Sequence, residues 1–370
     1  MISRRSFGFA AATLVAAGAS TAAGLTGALG EAFGLSIREF GAVAAAPYGA
    51  TSQPLRDLEN AGPWLTGVPG GVQSLKGKVV VVNFWTYSCI NSLRALPYLR
   101  AWSERYASKG LVVVGVHAPE FQFEHDAAKV RLAAHQLDVG YPNVQDNRYA
   151  TWQRFANQGW PGFYFIGADG RIRGYRSGEG RYAEAEQFIR ALLTEAGQDV
   201  ASVMQVPIQG SGIEADADWA NLRSPEAYFG YGKADGLVSS SGGARDASRS
   251  YEQADQLKLN RWDLEGDWTL KQEFASLDSE RGRLRYRFHA RDLHLVLGRS
   301  EGSGPVRFRA TLDGRAPGDS HGGDVDAEGW GELREDRLYQ LIRLSGPVRE
   351  RTMTIEFGRS GARAYAVTFG

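Results

Sequence analysis

The feature that most constrains this chain is the apolar run at residues 79–84, which leads straight into Trp85-Thr86-Tyr87-Ser88-Cys89. A run that is apolar on both faces reads as a strand buried between two layers. Beyond Cys89, residues Leu93, Leu96, Leu99 and Trp102 fall at helical spacing, so the chain passes from strand to helix at the cysteine. Covering both faces of such a strand calls for a layered α/β unit. Cys89 is also the single cysteine among 370 residues. Any disulfide chemistry must therefore be intermolecular or involve a small thiol. A helix N-terminus offers the sulfur unpaired N–H groups and the positive end of a dipole, which favour thiolate over thiol.

The following text keeps the alternation. Residues 111–116 read as a second buried strand and 127–137 as a helix, with a further helical stretch from 151. Strands at 162–166 and 171–176 flank the Ala168-Asp169-Gly170 turn, and an amphipathic helix is predicted over 182–195. Residues 198–224 are small and acidic without periodicity and read as a linker. From 225 onward short runs alternate with period two: Leu284, Tyr286 and Phe288, then Leu293, Leu295 and Leu297, then Val306, Phe308 and Ala310. Runs at 338–344, 352–357 and 364–369 continue the habit, which argues for an antiparallel β-sandwich.

The N-terminus reads as an address. Ser3-Arg4-Arg5-Ser6-Phe7 is a twin-arginine pattern followed by a weakly apolar run rich in Ala and Gly. Ala42-Val43-Ala44 fits a small-x-small cleavage site with a cut after Ala44. The expectation is export by the twin-arginine route to the periplasm or cell surface, with an uncut segment as the one means of membrane attachment. Forty-two basic residues balance forty-two acidic ones. That balance argues against nucleic acid and anionic membrane as main partners.

A family likeness rests on particular stretches. They are Asn83 to Asn91 around the cysteine, Gly115-Val116-His117-Ala118-Pro119-Glu120-Phe121, Asp146 to Trp152, and Trp160-Pro161. Asp324-Val325-Asp326-Ala327 and Leu338-Tyr339-Gln340-Leu341-Ile342 add to them in the second half. These segments resemble the periplasmic thioredoxin-like proteins of the TlpA type, most closely the exported C-terminal region of the DipZ family. The expected architecture is then an α/β thioredoxin fold followed by an all-β antiparallel sandwich, jelly-roll-like. Its parts are a signal segment at 1–44, an extension at 45–74, the thioredoxin-like domain at 75–197, the linker at 198–224 and the β domain at 225–370. The resemblance implies a carbohydrate-binding-like character for that last part. It also implies that Cys89 is the nucleophile, that Glu120 is a functional acid, and that a cis Trp160-Pro161 bond lies opposite the cysteine. Trp85, Trp160 and Pro161 become the substrate-binding candidates.

One departure matters: the family motif is Cys-x-x-Cys, and here Ser92 stands at the second position. The first cysteine of such a pair attacks a substrate disulfide and the second resolves the adduct. A serine hydroxyl cannot resolve it. The leading expectation is therefore an extracytoplasmic thiol–disulfide protein acting through one thiol, with exported proteins or small thiols as partners through a mixed disulfide. Its rival is a redox-inactive scaffold presenting a β-sandwich that binds cell-wall glycan through aromatics such as Trp262, Trp268, Trp330 or Tyr339. The six scattered histidines give no convincing metal set. The glycines at 67–71 lack a Walker or dinucleotide fingerprint. No cofactor is implied.

Overall fold

The computed structural model describes residues 43–370 apart from 206, 240 and 241. The signal segment read at 1–44 lies outside the described residues except for Val43 and Ala44. The first half runs α1 (Pro54–Glu59), β1 (Trp64–Thr66), β2 (Val79–Trp85), α2 (Ile90–Tyr106), β3 (Leu111–His117), α3 (Ala127–Gln136), β4 (Asn143–Gln145), α4 (Ala150–Arg154), β5 (Gly162–Ile166), β6 (Ile172–Ser177) and α5 (Tyr182–Glu195). These strands form one mixed sheet in the order β1-β4-β3-β2-β5-β6. Strand β2 pairs in parallel with β3 and antiparallel with β5, and all seven of its residues are buried. Strand residues alternate between faces, so Val79 and Val81 pack with Leu96, Leu99 and Phe188 from α2 and α5. Val80, Val82 and Phe84 pack on the other side with Leu58, Phe155 and Tyr164. This is the layered α/β unit expected of the run at 79–84, in the thioredoxin-like form that the resemblance implies. At the outer edge Ala44 exchanges both backbone hydrogen bonds with Tyr175, each 2.8 Å.

The second half is a large antiparallel β domain: β7 (Ala227–Tyr228), β8 (Ser248–Tyr251), β9 (Trp262–Leu270), β10 (Ala275–Leu277), β11 (Gly282–Phe288), β12 (Asp292–Arg299), β13 (Val306–Leu312), β14 (Trp330–Leu333), β15 (Arg337–Arg343), β16 (Arg351–Phe357) and β17 (Ala362–Phe369). Its two layers, β14-β13-β16-β11 and β10-β17-β12-β15, are joined through β9, so the sandwich is one continuous sheet folded on itself. The front of β9 pairs with β11 and its end with β10 and β8. The bend falls at Gly266, whose φ is +98° and where a Cβ would stand 2.8 Å from the Arg281 carbonyl. A glycine tolerates both the left-handed backbone and the close approach.

The two halves share a core. Val296, Leu338, Tyr365 and Ala366 of the β domain belong to the same buried cluster as Leu93, Leu96 and Trp102 of α2. Phe121 and Phe123 meet the Tyr365 ring edge-on at centroid distances of 5.1 and 4.9 Å. Residues 198–224, read as a linker, are fastened along the α/β layer. Arg100 makes a two-pronged contact with Glu214 at 2.8 and 2.7 Å, and Arg190 donates to the Val200 carbonyl at 2.7 Å. Arg94, on the first turns of α2, is 1% exposed at its side chain; it pairs with Glu179 at 3.1 Å and donates to the Phe369 carbonyl at 3.2 Å. Removing one partner of a buried ion pair leaves the other charge uncompensated. Arg94→Met should therefore cost about 3–5 kcal/mol in urea unfolding. Adding Glu179→Gln should recover much of that loss, and an additive double variant would refute the pairing.

Candidate active site

The site begins where β2 stops. Thr86, Tyr87 and Ser88 form a buried turn, and Cys89 caps α2 with extended backbone (φ −91°, ψ 115°). The cysteine is a free thiol, 8% exposed. The backbone N–H groups of Asn91 and Ser92 face its sulfur. Ser92 is fully buried, and its hydroxyl accepts the Thr86 N–H at 3.4 Å, so the residue in the resolving position braces the turn.

A residue absent from the sequence reading holds this turn in place. Glu124 is fully buried. Its Oε1 accepts from the Thr86 hydroxyl, from the Ser88 N–H at 3.2 Å and from the Ser88 hydroxyl at 2.6 Å. Its Oε2 accepts the N–H groups of Glu120 and Phe121 at 2.5 and 2.9 Å. Burial raises its pKa to about 7, against the pull of those donors. His117 is also fully enclosed, with Nε2 3.3 Å from the Thr86 hydroxyl and its ring stacked on Tyr87. Burial lowers its pKa to about 3, so it is a neutral packing residue at ordinary pH.

The β domain supplies the opposite wall. Glu120 Oε1 lies 2.6 Å from the Tyr228 hydroxyl and 3.0 Å from Lys233 Nζ, and Tyr228 is also 2.8 Å from Glu226 Oε2. Burial pushes the Cys89 thiol well above its ordinary range, the carboxylates of Glu226 and Glu120 push the same way, and the two N–H groups recover only part. The helix N-terminus expected to favour the thiolate is present, but its effect is outweighed. A sulfur screened from water beside two acids resists gaining charge.

The other candidates divide. The Trp160–Pro161 peptide is cis. The Phe84–Gly162 register sets Pro161 beside the end of β2 that leads to Cys89, and Trp160 Nε1 donates to the Ala118 carbonyl at 3.0 Å. Trp85, read as substrate-binding, is instead a core residue: it is fully buried and donates to Asn143 Oδ1 at 3.2 Å. Trp262, Trp268 and Tyr339 are likewise buried, while Trp330 is 39% exposed with the Arg307 guanidinium 4.2 Å above its ring. Glu124, Glu226, Tyr228 and Lys233 escaped the sequence reading. Among the described residues, no three His, Cys, Asp or Glu side chains stand together as a metal site, and no helix is long and apolar enough to cross a membrane.

Residues 224–370 match the family described as Thioredoxin like C-terminal domain, and residues 66–175 match the AhpC/TSA family. Protein DipZ of Mycobacterium bovis is 37% identical over 247 residues, covering 65% of this chain and 34% of that protein. This chain thus spans about a third of the length of that relative. Thiol-disulfide oxidoreductase YkuV of Bacillus subtilis is 27% identical over 143 residues, 39% of this chain and 96% of that protein. A solved structure of a secreted Mycobacterium tuberculosis disulfide oxidoreductase homologous to E. coli DsbE aligns at 24% identity with a TM-score of 0.31, covering 37% of this chain and 98% of that one.

Two measurements check the electrostatics. Thiolate absorbance of Cys89 should titrate above the unperturbed value of about 8.5; a midpoint below it would contradict the closed site. Glu124 has its folded pKa raised from 4.5 to about 7, so its contribution to stability is complete below 4.5 and fades as pH rises through about 7. Glu124→Gln removes that titration. Wild-type stability relative to this variant should fall between pH 4.5 and 7, and a flat difference would contradict the raised value.

Proposed function

We propose that this chain, a thioredoxin-like protein of the TlpA and DipZ type, is an extracytoplasmic thiol–disulfide exchange protein that works by forming a mixed disulfide through Cys89 alone. The observation that carries this reading is the placement of the chain's single thiol at the N-cap of α2, directly after a turn braced by the buried Glu124. A structural cysteine would need no such surroundings. Export by the twin-arginine route belongs to the same reading, since it delivers a folded chain to a compartment where disulfides persist.

The chemistry has two steps. Cys89 loses its proton, and its sulfur attacks one sulfur of a substrate disulfide. The new S–S bond forms as the old one breaks, and the departing sulfur leaves as a thiolate that takes up a proton. The adduct is then released when an external thiolate attacks the substrate sulfur and expels Cys89. A thiol whose pKa is raised is scarce as a thiolate and also slow to leave. Attack should therefore be slow at neutral pH, and the adduct long-lived once formed. Trp160 and Pro161, beside the carboxyl end of β2, offer backbone for an extended substrate segment to pair with. The glycan-binding rival retains one exposed ring among its named aromatics, Trp330, and that ring already carries Arg307.

The test is adduct formation with an oxidised small thiol and with a disulfide-bearing reporter protein, read by intact mass. Wild type should form an adduct that persists until external thiol is added, and Cys89→Ala should form none. Ser92→Cys should release the reporter unaided, because the new thiol attacks Cys89 and closes an internal disulfide. If wild type forms no adduct even in alkaline solution, the exchange reading fails.

A further inference from the structure

We propose that the cleft between α3 and the β14–β15 end of the β domain is a second binding site, which holds a polypeptide segment carrying bulky aliphatic and basic side chains. The site works without a thiol, so it goes beyond the exchange reading and is tested apart from it.

The cleft has a volume of about 840 Å³, inside the range of about 300–1,000 Å³ in which proteins enclose ligands. One wall comes from α3 and the first turn of α2, the other from β15 with the turns at 300–302 and 334–336. Both halves of the chain are therefore needed to form it. Leu93, Leu132, Leu137, Ile213 and Leu338 give it an aliphatic strip. Leu132 is 46% exposed, so part of that strip stays uncovered in the folded chain. Covering it is favourable. Beneath the strip, Gln340 keeps its Oε1 on the Gly323 N–H at 3.3 Å, and its Nε2 has no partner among the described residues. The Tyr87 hydroxyl has none either, and both residues are buried and line the cleft. Unpaired buried donors are costly, and a peptide backbone brings carbonyl acceptors that carry no charge.

Charge decides what can lie against the strip. The basic side chains of the lining are all committed. Lys129 Nζ is 2.5 Å from Asp336, Arg334 is 2.5 Å from Glu332, and Arg337 is 2.7 Å from Asp324. Arg299 donates to the backbone carbonyls of Arg334 and Ser303. Asp126, Glu301 and Glu335 line the same cleft, and among the described residues none of the three has an ion-pair partner. An anionic ligand would meet these acids with no free cation to receive it, whereas a basic ligand is attracted by each. The acids stand on three elements: the cap of α3, the turn after β12 and the turn after β14. A single ammonium can meet one of them, and a segment with several basic side chains can meet more. Tyr87 precedes Cys89 by two positions and Leu93 follows it by four. A segment held here would lie against the same turn and helix that carry the thiol.

The experiment is fluorescence anisotropy of the full chain with a dye-labelled, end-blocked hexapeptide of alternating Lys and Leu, which contains no cysteine. This peptide should bind saturably, and its Glu/Leu counterpart about tenfold more weakly or worse. Leu132→Lys should weaken binding about tenfold, since it removes an aliphatic contact and adds a like charge. Glu301→Lys should weaken it several-fold at low salt. Both positions are exposed, so both variants should keep the wild-type urea midpoint. Glu280→Lys, at an exposed acid outside the cleft, should leave binding unchanged. No saturable binding, equal binding of the two peptides, or a loss in Glu280→Lys as large as in Glu301→Lys overturns the site. Competition by n-hexylamine as effective as by unlabelled peptide would make this a small-amine site and overturn the polypeptide assignment. A chain that binds the peptide but forms no mixed disulfide keeps the cleft and loses the exchange reading; the reverse result loses the cleft alone.

Discussion

The site depends on one buried carboxylate. Glu124 gathers donors from the turn before Cys89 through one oxygen and from the segment after β3 through the other. Buried donors of this kind would cost about 1–3 kcal/mol each if left unpaired. Holding both segments at once fixes more than the turn. It places Glu120 toward Tyr228 and presents Phe121 and Phe123 to Tyr365. The thiol's geometry and the seam between the halves are therefore set by the same residue.

That seam changes what the thiol can do. The N-terminus of α2 brings two backbone N–H groups to the sulfur. With the β domain docked, the sulfur sits in a closed wall that brings Glu226 and Tyr228 across and steadies Glu120. Burial and negative charge act in the same direction on a thiol, and the partial charge at a helix end is too small to offset both. The second half thus contributes to the candidate site even though it carries no cysteine. Its shared apolar cluster with α2 makes the arrangement a property of the fold rather than of a loop.

Local order was largely legible in the sequence. The strand at 162–166 and the helix at 182–195 occur with those bounds, the first because a turn at 168–170 closes its apolar run and the second because its apolar face repeats with helical period. The three-residue strands β1 and β4 are too short to show any period. Strand β9 was hidden because Gly266-Asp267 reads as a turn, although Trp262, Leu264, Trp268 and Leu270 all point inward. The site was legible only in part. Cys89, Ser92, Glu120 and Trp160-Pro161 lie in local motifs. Tyr228 meets Glu120 across 108 positions, and nothing local to either residue announces the pair. The same blindness reversed the expected electrostatics of Cys89: the helix end is a local feature and the covering wall is not.

Ser92 shows why such a site can lose its resolving chemistry without losing its shape. Its hydroxyl sits in a fully buried position and bonds the Thr86 backbone, so the serine is accommodated as a structural partner of the turn. The covalent economy of exchange nevertheless depends on it. With a second thiol, a slow-leaving Cys89 is still expelled by a neighbour at high effective concentration. Without one, release waits for a thiol that must diffuse in and reach the substrate sulfur beside a closed wall. On the proposed reading, a raised thiol pKa and a missing resolver act together: the first slows both attack and departure, and the second removes the intramolecular route around the slow departure. Their joint effect favours holding a partner over turning one over.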